Sequence, residues 1–354
     1  MAKALIGMSG GVDSSVTAYI LKENGYDCIG VTFSMFDKQD ELFGFDSSLA
    51  GKDIEDAKAV CDKVGIPFMA IDAFEEFKKY VINDFIKTYE HGGTPNPCVQ
   101  CNRNVKFKLL CDLADKYECD VIATGHYAKT DYDKATGRHL IKKADDLTKD
   151  QSYMLYSLTQ EQIARTVFPL AQITKEEARK IAQKNNFINA KKSDSQDICF
   201  IPNGDYVEFI KKCTGKTYPN GKFIDTNNNI LGKHKGIINY TVGQRRGIDI
   251  ALGKRMYIKS KNYIDNTVTL AENNELYEKT VRLEKFNFVG IEDIEKPIRC
   301  SAKIRYSQTQ FDATAHKEGD DVIVVFDEPQ RAPTKGQSAV LYDGDVVLGG
   351  GIIK

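Results

Sequence analysis

Cys98 and Cys101 stand at CxxC spacing in TPNPCVQCNRNVKF, residues 94–107, and Cys199 follows far downstream in KKSDSQDICFIP, residues 191–202. Thiols at this spacing can clip a metal, close a disulfide or work as nucleophiles. A zinc clip needs a second pair at similar spacing, and neither CIGVTF nor CDLADKYEC supplies one. A thioredoxin-like pair opens a helix directly after a strand. Here Pro95 and Pro97 predict a loop between helices, a place where function rather than packing is usually carried. The remaining partner for the pair is Cys199, flanked by Asp194, Ser195 and Asp197 and close to Pro202. By contrast, Cys28, Cys61, Cys111 and Cys119 fall within strand or helix patterns and read as buried apolar residues.

A second stretch with chemical potential is SGGVDSS, residues 9–15, set between the apolar run KALIGM and the helical pattern SSVTAYILKENG. Glycines at a strand-to-helix junction let backbone N–H groups close on an anion, and the helix N-terminus adds partial positive charge. The stretch is neither a Walker A loop nor GxGxxG. It is a pyrophosphatase-type (PP-loop) pattern, used by enzymes that cleave ATP between the α and β phosphates and transfer AMP. The bland alternative is a glycine turn with a Ser/Asp cap. Asp13 could orient magnesium or pyrophosphate, or cap the helix. An enzyme of this type turns a carbonyl oxygen into a leaving group, so it needs a nucleophile, and the thiols are candidates.

The elements that must position these residues alternate between strand and helix through residue 200. Strands are expected at 3–8, 28–33, 68–72 and 120–127, with helices at 14–25, 52–65, 75–93, 104–117 and 159–187. Such alternation predicts a parallel α/β sheet with helices on both faces. Thr174 and Glu177 form a candidate capping box. Beyond residue 200 the texture shifts to Gly, Asn and Lys with short β-prone pieces, then from about 280 to short β runs punctuated by Gly, Pro and Asp. Three domains are expected: a nucleotide-binding domain at 1–200, a small basic central domain at 201–278 and a C-terminal β-barrel at 279–354. The segment 37–51 has no interpretable pattern.

Composition sets the outer limits. The chain has 354 residues, 42% hydrophobic and 28% charged, with a net charge of −1. No apolar run reaches the ~18 residues a membrane helix needs, and the first residues do not read as an export signal. An odd count of nine cysteines does not suit a secreted disulfide framework, so a cytoplasmic location is expected. Charge is unevenly spread: residues 211–261 carry twelve Lys/Arg against two acids, net +10, leaving −11 elsewhere. A basic block in an acidic protein points to a polyanion partner, or to a solvated lysine-rich surface.

SGGVDSSV, TPNPCVQCNRNVKF, IATGHYA, KDQSYMLYSL, AKKSDSQDICFI, YTVGQRRG, the IRY of 304–306 and KGQSAVLYDGDVVLGGGI together resemble the bacterial tRNA-specific 2-thiouridylase family, from residue 4 to the last residues. The resemblance implies an adenine nucleotide alpha hydrolase-like fold. It implies a sulfurtransferase that uses ATP and magnesium to replace the 2-oxygen of the wobble uridine with sulfur, in tRNAs for Lys, Glu and Gln. The sulfur would come from a cysteine desulfurase or sulfur-relay protein. Matched residue by residue, Gly7, Met8, Ser9, Gly10, Gly11, Val12, Asp13 and Ser14 form the ATP loop, and Met35 and Gly125 contact adenine and ribose. Cys101 is the nucleophile and Cys199 carries the persulfide; the two can close a disulfide. Asn96, Pro97 and Cys98 hold the target base, while His126, Lys149, Asp150, Gln151, Arg305, Tyr306 and Gln337 contact tRNA.

Many members of that family carry aspartate where this chain has Cys98. Three thiols, Cys98, Cys101 and Cys199, could ligate a [4Fe–4S] cluster with one iron left open; otherwise Cys98 is a spare thiol beside persulfide chemistry. Competing readings are another enzyme of the same loop class, such as a 4-thiouridine synthetase, and a non-catalytic iron–sulfur or zinc RNA-binding protein.

Overall fold

The computed structural model describes residues 1–35, 47–193, 198–201, 204–250 and 253–354, with backbone alone at 47–50. Asp194, Ser195, Asp197, Pro202 and most of the segment 37–51 lie outside the described residues. Through residue 167 the strands are β1 (Lys3–Gly7), β2 (Asp27–Ser34), β3 (Phe68–Asp72), β4 (Val121–Ala123), β5 (Ala128–Asp133), β6 (Arg138–Lys143) and β7 (Thr166–Val167). Five of these form a parallel sheet in the order β3-β2-β1-β4-β7, with Leu5 opposite Ile29 and Ile122. The side chains of β1 alternate faces. Leu5 joins Phe107, Leu110 and Ile122 on one side, while Ala4 and Ile6 join Val16 and Val60 on the other. Both faces are covered, so β1 is apolar from Ala4 to Gly7, the pattern from which a parallel sheet is expected.

Helices α1 (Val12–Glu23), α2 (Ser47–Val64), α3 (Phe74–Phe77), α4 (Asn83–Glu90), α5 (Pro97–Cys101), α6 (Phe107–Lys116), α7 (Ser152–Leu155), α8 (Gln160–Arg165), α9 (Lys175–Lys184) and α10 (Tyr206–Thr214) surround the sheets. Several differ from what the sequence predicts. The helix expected over 75–93 is interrupted by a π turn at Lys78–Ile82. The stretch 159–187 is not one helix: α8 gives way to β7 and to Pro169 before Thr174 and Glu177 restart α9 with the expected capping box. The strand expected over 120–127 stops at Ala123, because at Gly125 the chain passes directly over Asp13 and Ser14. The CxxC pair is not in a loop. Pro97 takes the first position of α5, its fixed φ suiting that turn, and α5 runs through a π turn at Asn102–Lys106 into α6.

The central domain holds β8 (Gly221–Ile224), β9 (Ile230–His234), β10 (Tyr257–Asn262) and β11 (Thr267–Ala271), in the order β10-β11-β8-β9. Its core, with Phe223, Ile258, Val268 and Leu270, is continuous with Phe77, Phe85, Phe200 and Phe209. The expected basic surface is partly answered by acids: Lys212, Lys216, Lys235 and Lys254 pair with Glu208, Glu90, Asp249 and Glu272. Lys261 is drawn inward, donating to the carbonyls of Tyr240 at 2.6 Å and Gly93 at 3.2 Å, and burial pushes its pKa down to about 7. Arg245 and Arg246 remain exposed.

Strands β12 (Tyr277–Phe288), β13 (Ile298–Lys303), β14 (Phe311–Glu318), β15 (Asp321–Arg331), β16 (Ser338–Asp343) and β17 (Val346–Ile353) form the C-terminal barrel. Pairing of β12 with β17 closes it. The hairpin β5–β6, absent from the sequence-based expectation, leaves the first domain and joins the barrel's sheet, with Val346 opposite Lys142.

Phe200, next to Cys199, packs edge-on against Phe77 and Phe85 at ring separations of 5.5 and 5.2 Å. Phe200→Ala should cost about 3–5 kcal/mol, read as a lowered urea midpoint by tyrosine fluorescence; an unchanged midpoint would show that this ring does not anchor the segment.

Candidate active site

The loop leaving β1 is held by its own hydroxyls. Ser9 N–H donates to Ser14 Oγ at 3.1 Å, and the hydroxyls of Ser14 and Ser15 donate to the Gly11 carbonyl at 3.1 and 2.9 Å. Gly10 has φ +69°, and a Cβ there would lie 2.4 Å from the Asp53 carbonyl oxygen. Glycine is therefore required twice over, by conformation and by space. Two residues from the segment before Cys199 brace the loop from behind. The buried Asn189 amide donates to the carbonyls of Gly10 at 3.0 Å and Gly11 at 3.3 Å and to Ser15 Oγ at 2.9 Å. Lys192 Nζ donates to the Gly10 carbonyl at 3.1 Å while bridging Asp53 at 2.6 Å and Asp56 at 2.9 Å.

Asp13 does not cap α1, whose N-cap is Gly11, a residue with no side chain to accept from the first turn. Its carboxylate takes Lys175 Nζ on both oxygens at 2.7 Å and the Tyr127 hydroxyl at 2.9 Å. The structure thus presents a carboxylate–ammonium pair beside the phosphate loop. Gly125 closes over the same turn: a Cβ there would come within 2.8 Å of the Ser14 nitrogen and the Asp13 carbonyl carbon. Met8 ties β1 to β2, its N–H donating to the Val31 carbonyl and its own carbonyl accepting from Thr32 Oγ1, both at 2.7 Å. Met35, just past β2, packs onto the cluster that contains Phe77 and Phe200.

Cys98 and Cys101 lie three residues apart on α5, and their charges bear on each other and on Cys199. All three are free thiols. Cys98 and Cys199 are exposed and Cys101 is half-buried, and desolvation by the surrounding protein pushes Cys101 up to about 11 and Cys199 up to about 12, with Cys98 also moving upward. Lys106 opposes that rise at all three. His126, its Nδ1 2.7 Å from Thr124 Oγ1 and its ring between Phe107 and Phe168, is held neutral, its pKa well below the usual imidazole range. Burial is the main cause and the nearby Lys106 charge adds to it. Among the described residues no group of three His, Cys, Asp or Glu side chains is placed to hold a metal ion.

The barrel sets the loop before α5. Thr94 N–H donates to the Lys335 carbonyl at 2.7 Å, and Gln337 Nε2 donates to the carbonyls of Thr94 at 3.2 Å and Pro95 at 2.8 Å. Gln337 therefore props the turn leading into Asn96 and Pro97. Asp150 is engaged within its own turn, accepting from Ala144 N–H, Ser152 N–H and Ser152 Oγ. Gln151 clasps Tyr127 through both backbone and side chain, so Lys149, Asp150 and Gln151 form a turn strapped to the Gly125–Tyr127 stretch. Arg305 donates to the carbonyls of Arg331 and Ala332. Tyr306 stays partly exposed, with its ring 6.1 Å from Tyr153, and it feels the charge of Cys98.

Five residues at this site give no signal of their role in the sequence. Tyr127, Lys106 and Lys192 lie inside motif stretches, but a partner across the fold is invisible in a linear pattern. Asn189 falls just before such a stretch. Lys175 carries no signal beyond its place in a capping box.

A PP-loop-type nucleotide site on a parallel sheet, with neighbouring thiols and two β modules, defines a class of ATP-using transferase. Comparison with known proteins agrees. The model of the tRNA methyl transferase HUP domain matches residues 2–203, that of the tRNA methyl transferase PRC-barrel domain residues 207–272, and that of the aminomethyltransferase beta-barrel domain residues 278–353. The chain is 49% identical to the tRNA-specific 2-thiouridylase MnmA of Clostridioides difficile, over 99% of this chain and 98% of that protein. It is 48% identical to that of Acetivibrio thermocellus and 44% to that of Clostridium acetobutylicum, each over 99% of both chains. The chain belongs to the tRNA-specific 2-thiouridylase family.

Gly10→Ala should abolish ATP binding, measured by calorimetry, because its Cβ collides with the Asp53 backbone in a disfavoured conformation. Retention of wild-type ATP affinity would remove the loop from the nucleotide site.

Proposed function

We propose that this chain thiolates the wobble uridine of tRNAs for Lys, Glu and Gln at the 2-position, at the expense of ATP. The observation that supports it most is that Cys98, Cys101 and Cys199 lie near enough for their charges to bear on one another, in a domain whose strand β1 opens into a braced phosphate loop. ATP enters as its magnesium complex at Gly7–Ser14, with its adenine and ribose beside Met35 and Gly125. Asn96, Pro97 and Cys98 hold the uracil, and His126, Lys149–Gln151, Arg305, Tyr306 and Gln337 form the surrounding wall. Arg245 and Arg246 meet phosphates farther along.

The uracil 2-oxygen attacks the α phosphorus and pyrophosphate leaves. The terminal sulfur of a Cys199 persulfide then attacks C2, the C–O bond breaks and AMP departs. Cys101 thiolate attacks Cys199 Sγ, and the S–S bond to the transferred sulfur breaks with its electron pair left on that sulfur. The products are the C2 thiocarbonyl and a Cys101–Cys199 disulfide. A thiol reductant reopens the disulfide, and a cysteine desulfurase or sulfur-relay protein reloads Cys199. A persulfide route needs two thiols, so Cys98 is the spare. No helix is long and apolar enough to cross a membrane among the described residues, and a tRNA substrate places the work in the cytoplasm.

Thiolation of unmodified tRNA by purified protein, followed by thionucleoside analysis, tests this reading. Cys101→Ala and Cys199→Ala should give no 2-thiouridine, whereas Cys98→Ala should retain it. An inactive Cys98→Ala beside an active Cys98→Asp, with about four irons bound per chain, would sink the persulfide route. The double change Arg245→Ala, Arg246→Ala should flatten the log–log salt dependence of tRNA binding by about one to two units. An unchanged slope would take these arginines out of the phosphate interface.

A further inference from the structure

We propose that Lys106 is the counter-ion of the sulfur chemistry, holding the Cys101 thiolate and the terminal sulfur of the Cys199 persulfide as anions that face the target base. This rests on the thiolation reading above and names the group that makes its two sulfur nucleophiles usable.

The placement follows from the backbone. Lys106 ends the π turn Asn102–Lys106, a turn that inserts one residue into the helical register and is often found at functional sites. Its backbone N–H is hydrogen-bonded to the Cys101 thiol. Its side chain is aimed by Asn102, whose Oδ1 accepts from Lys106 Nζ at 3.1 Å. Asn102 is itself buried and fixed, its Nδ2 donating to the Met154 carbonyl at 3.0 Å. The bond from Lys106 to Asn102 uses one of three ammonium hydrogens. No carboxylate pairs with Lys106 among the described residues, in contrast to Lys175 and Lys192.

Electrostatics point the same way. Among the described residues Lys106 is the one cation whose charge bears on Cys98, Cys101 and Cys199 alike. His126, packed between Phe107 and Phe168, is kept neutral by burial. Desolvation drives each sulfur upward, and Lys106 is the charge that opposes it at all three. Lysine fits this role better than arginine, because its charge is compact and can follow the anion from one sulfur to the next. Before transfer it faces the persulfide anion. As the C–S bond forms, that charge passes to departing AMP, and Lys106 is free to stabilise the Cys101 thiolate that cleaves the S–S bond. Once the disulfide has formed, the ammonium faces neutral sulfur and its hold on that segment relaxes.

Competitive alkylation of full-length protein at about pH 7.5, a unit below the pKa of an ordinary thiol, tests the idea. Iodoacetate (anionic) and iodoacetamide (neutral) are the probes and peptide mass spectrometry is the readout. At Cys101 and Cys199 the iodoacetate-to-iodoacetamide ratio should be several-fold higher in folded wild type than in the urea-unfolded chain. Lys106→Met should remove that preference and slow thiolation about tenfold or more, with the first-turnover, tRNA-dependent release of pyrophosphate retained. Lys106→Arg should keep the preference. A folded wild type with the unfolded ratio overturns the proposal, and needs no variant. So does Lys106→Met with wild-type preference or a wild-type thiolation rate. Wild-type protein that shows the alkylation preference yet never thiolates tRNA would instead overturn the function reading and leave the anion site standing.

Discussion

The carbonyl of Gly10 is the point on which the catalytic domain turns. It accepts from Asn189 and from Lys192, and the second of these donors is itself fixed by Asp53 and Asp56. A loop that binds phosphate must aim its N–H groups outward, which leaves its carbonyls facing back into the protein. Buried carbonyls without donors are costly. The donors here come from the segment that runs on to Cys199, so one set of bonds satisfies the phosphate loop and fixes the base of the sulfur-bearing stretch of chain. In the proposed reaction, nucleotide and sulfur are thereby anchored to a common support.

On the opposite side, α5 is placed from two directions. The C-terminal barrel grips Thr94 and Pro95, and the central domain reaches Gly93 through Lys261. Gly93 and Gly336 allow this, since a Cβ on either would fall within 3 Å of Thr88 Cγ2. Two modules that contribute none of Cys98, Cys101 and Cys199 therefore set the position of the chain leading into α5. In the proposed function, docking of a long RNA on these modules and alignment of the thiols are parts of one assembly.

Much of this is legible in the residues. The parallel sheet follows from uninterrupted apolar strands, the phosphate loop from glycines at a strand end, and the barrel from short β runs with turn residues between. What escapes does so for physical reasons. Pro95 and Pro97 read as loop formers, yet Pro97 begins a helix, because a first-turn proline loses no hydrogen bond there. The interrupted stretch 159–187 keeps a helical period on either side of β7, so periodicity alone could not show the break. The hairpin β5–β6 has few β-branched residues and gains its partner from a strand roughly two hundred residues away. Basic residues can be counted from sequence but not their pairing: Lys216 meets Glu90 and Lys254 meets Glu272, both acids outside the basic block. For the site, residue types are visible and cross-fold partners such as Lys175 for Asp13 are not.

The hairpin has a further consequence, for anyone who would cut the chain. The backbone of Lys143 donates to Asp345, and Lys142 lies opposite Val346, so β6 spends its outer edge on the barrel. A fragment ending before residue 278 would leave that edge unpaired, and an unpaired edge is a template for other chains. The barrel thus acts as an edge cap for the domain ahead of it, and solubility of the catalytic portion becomes a property of the whole polypeptide.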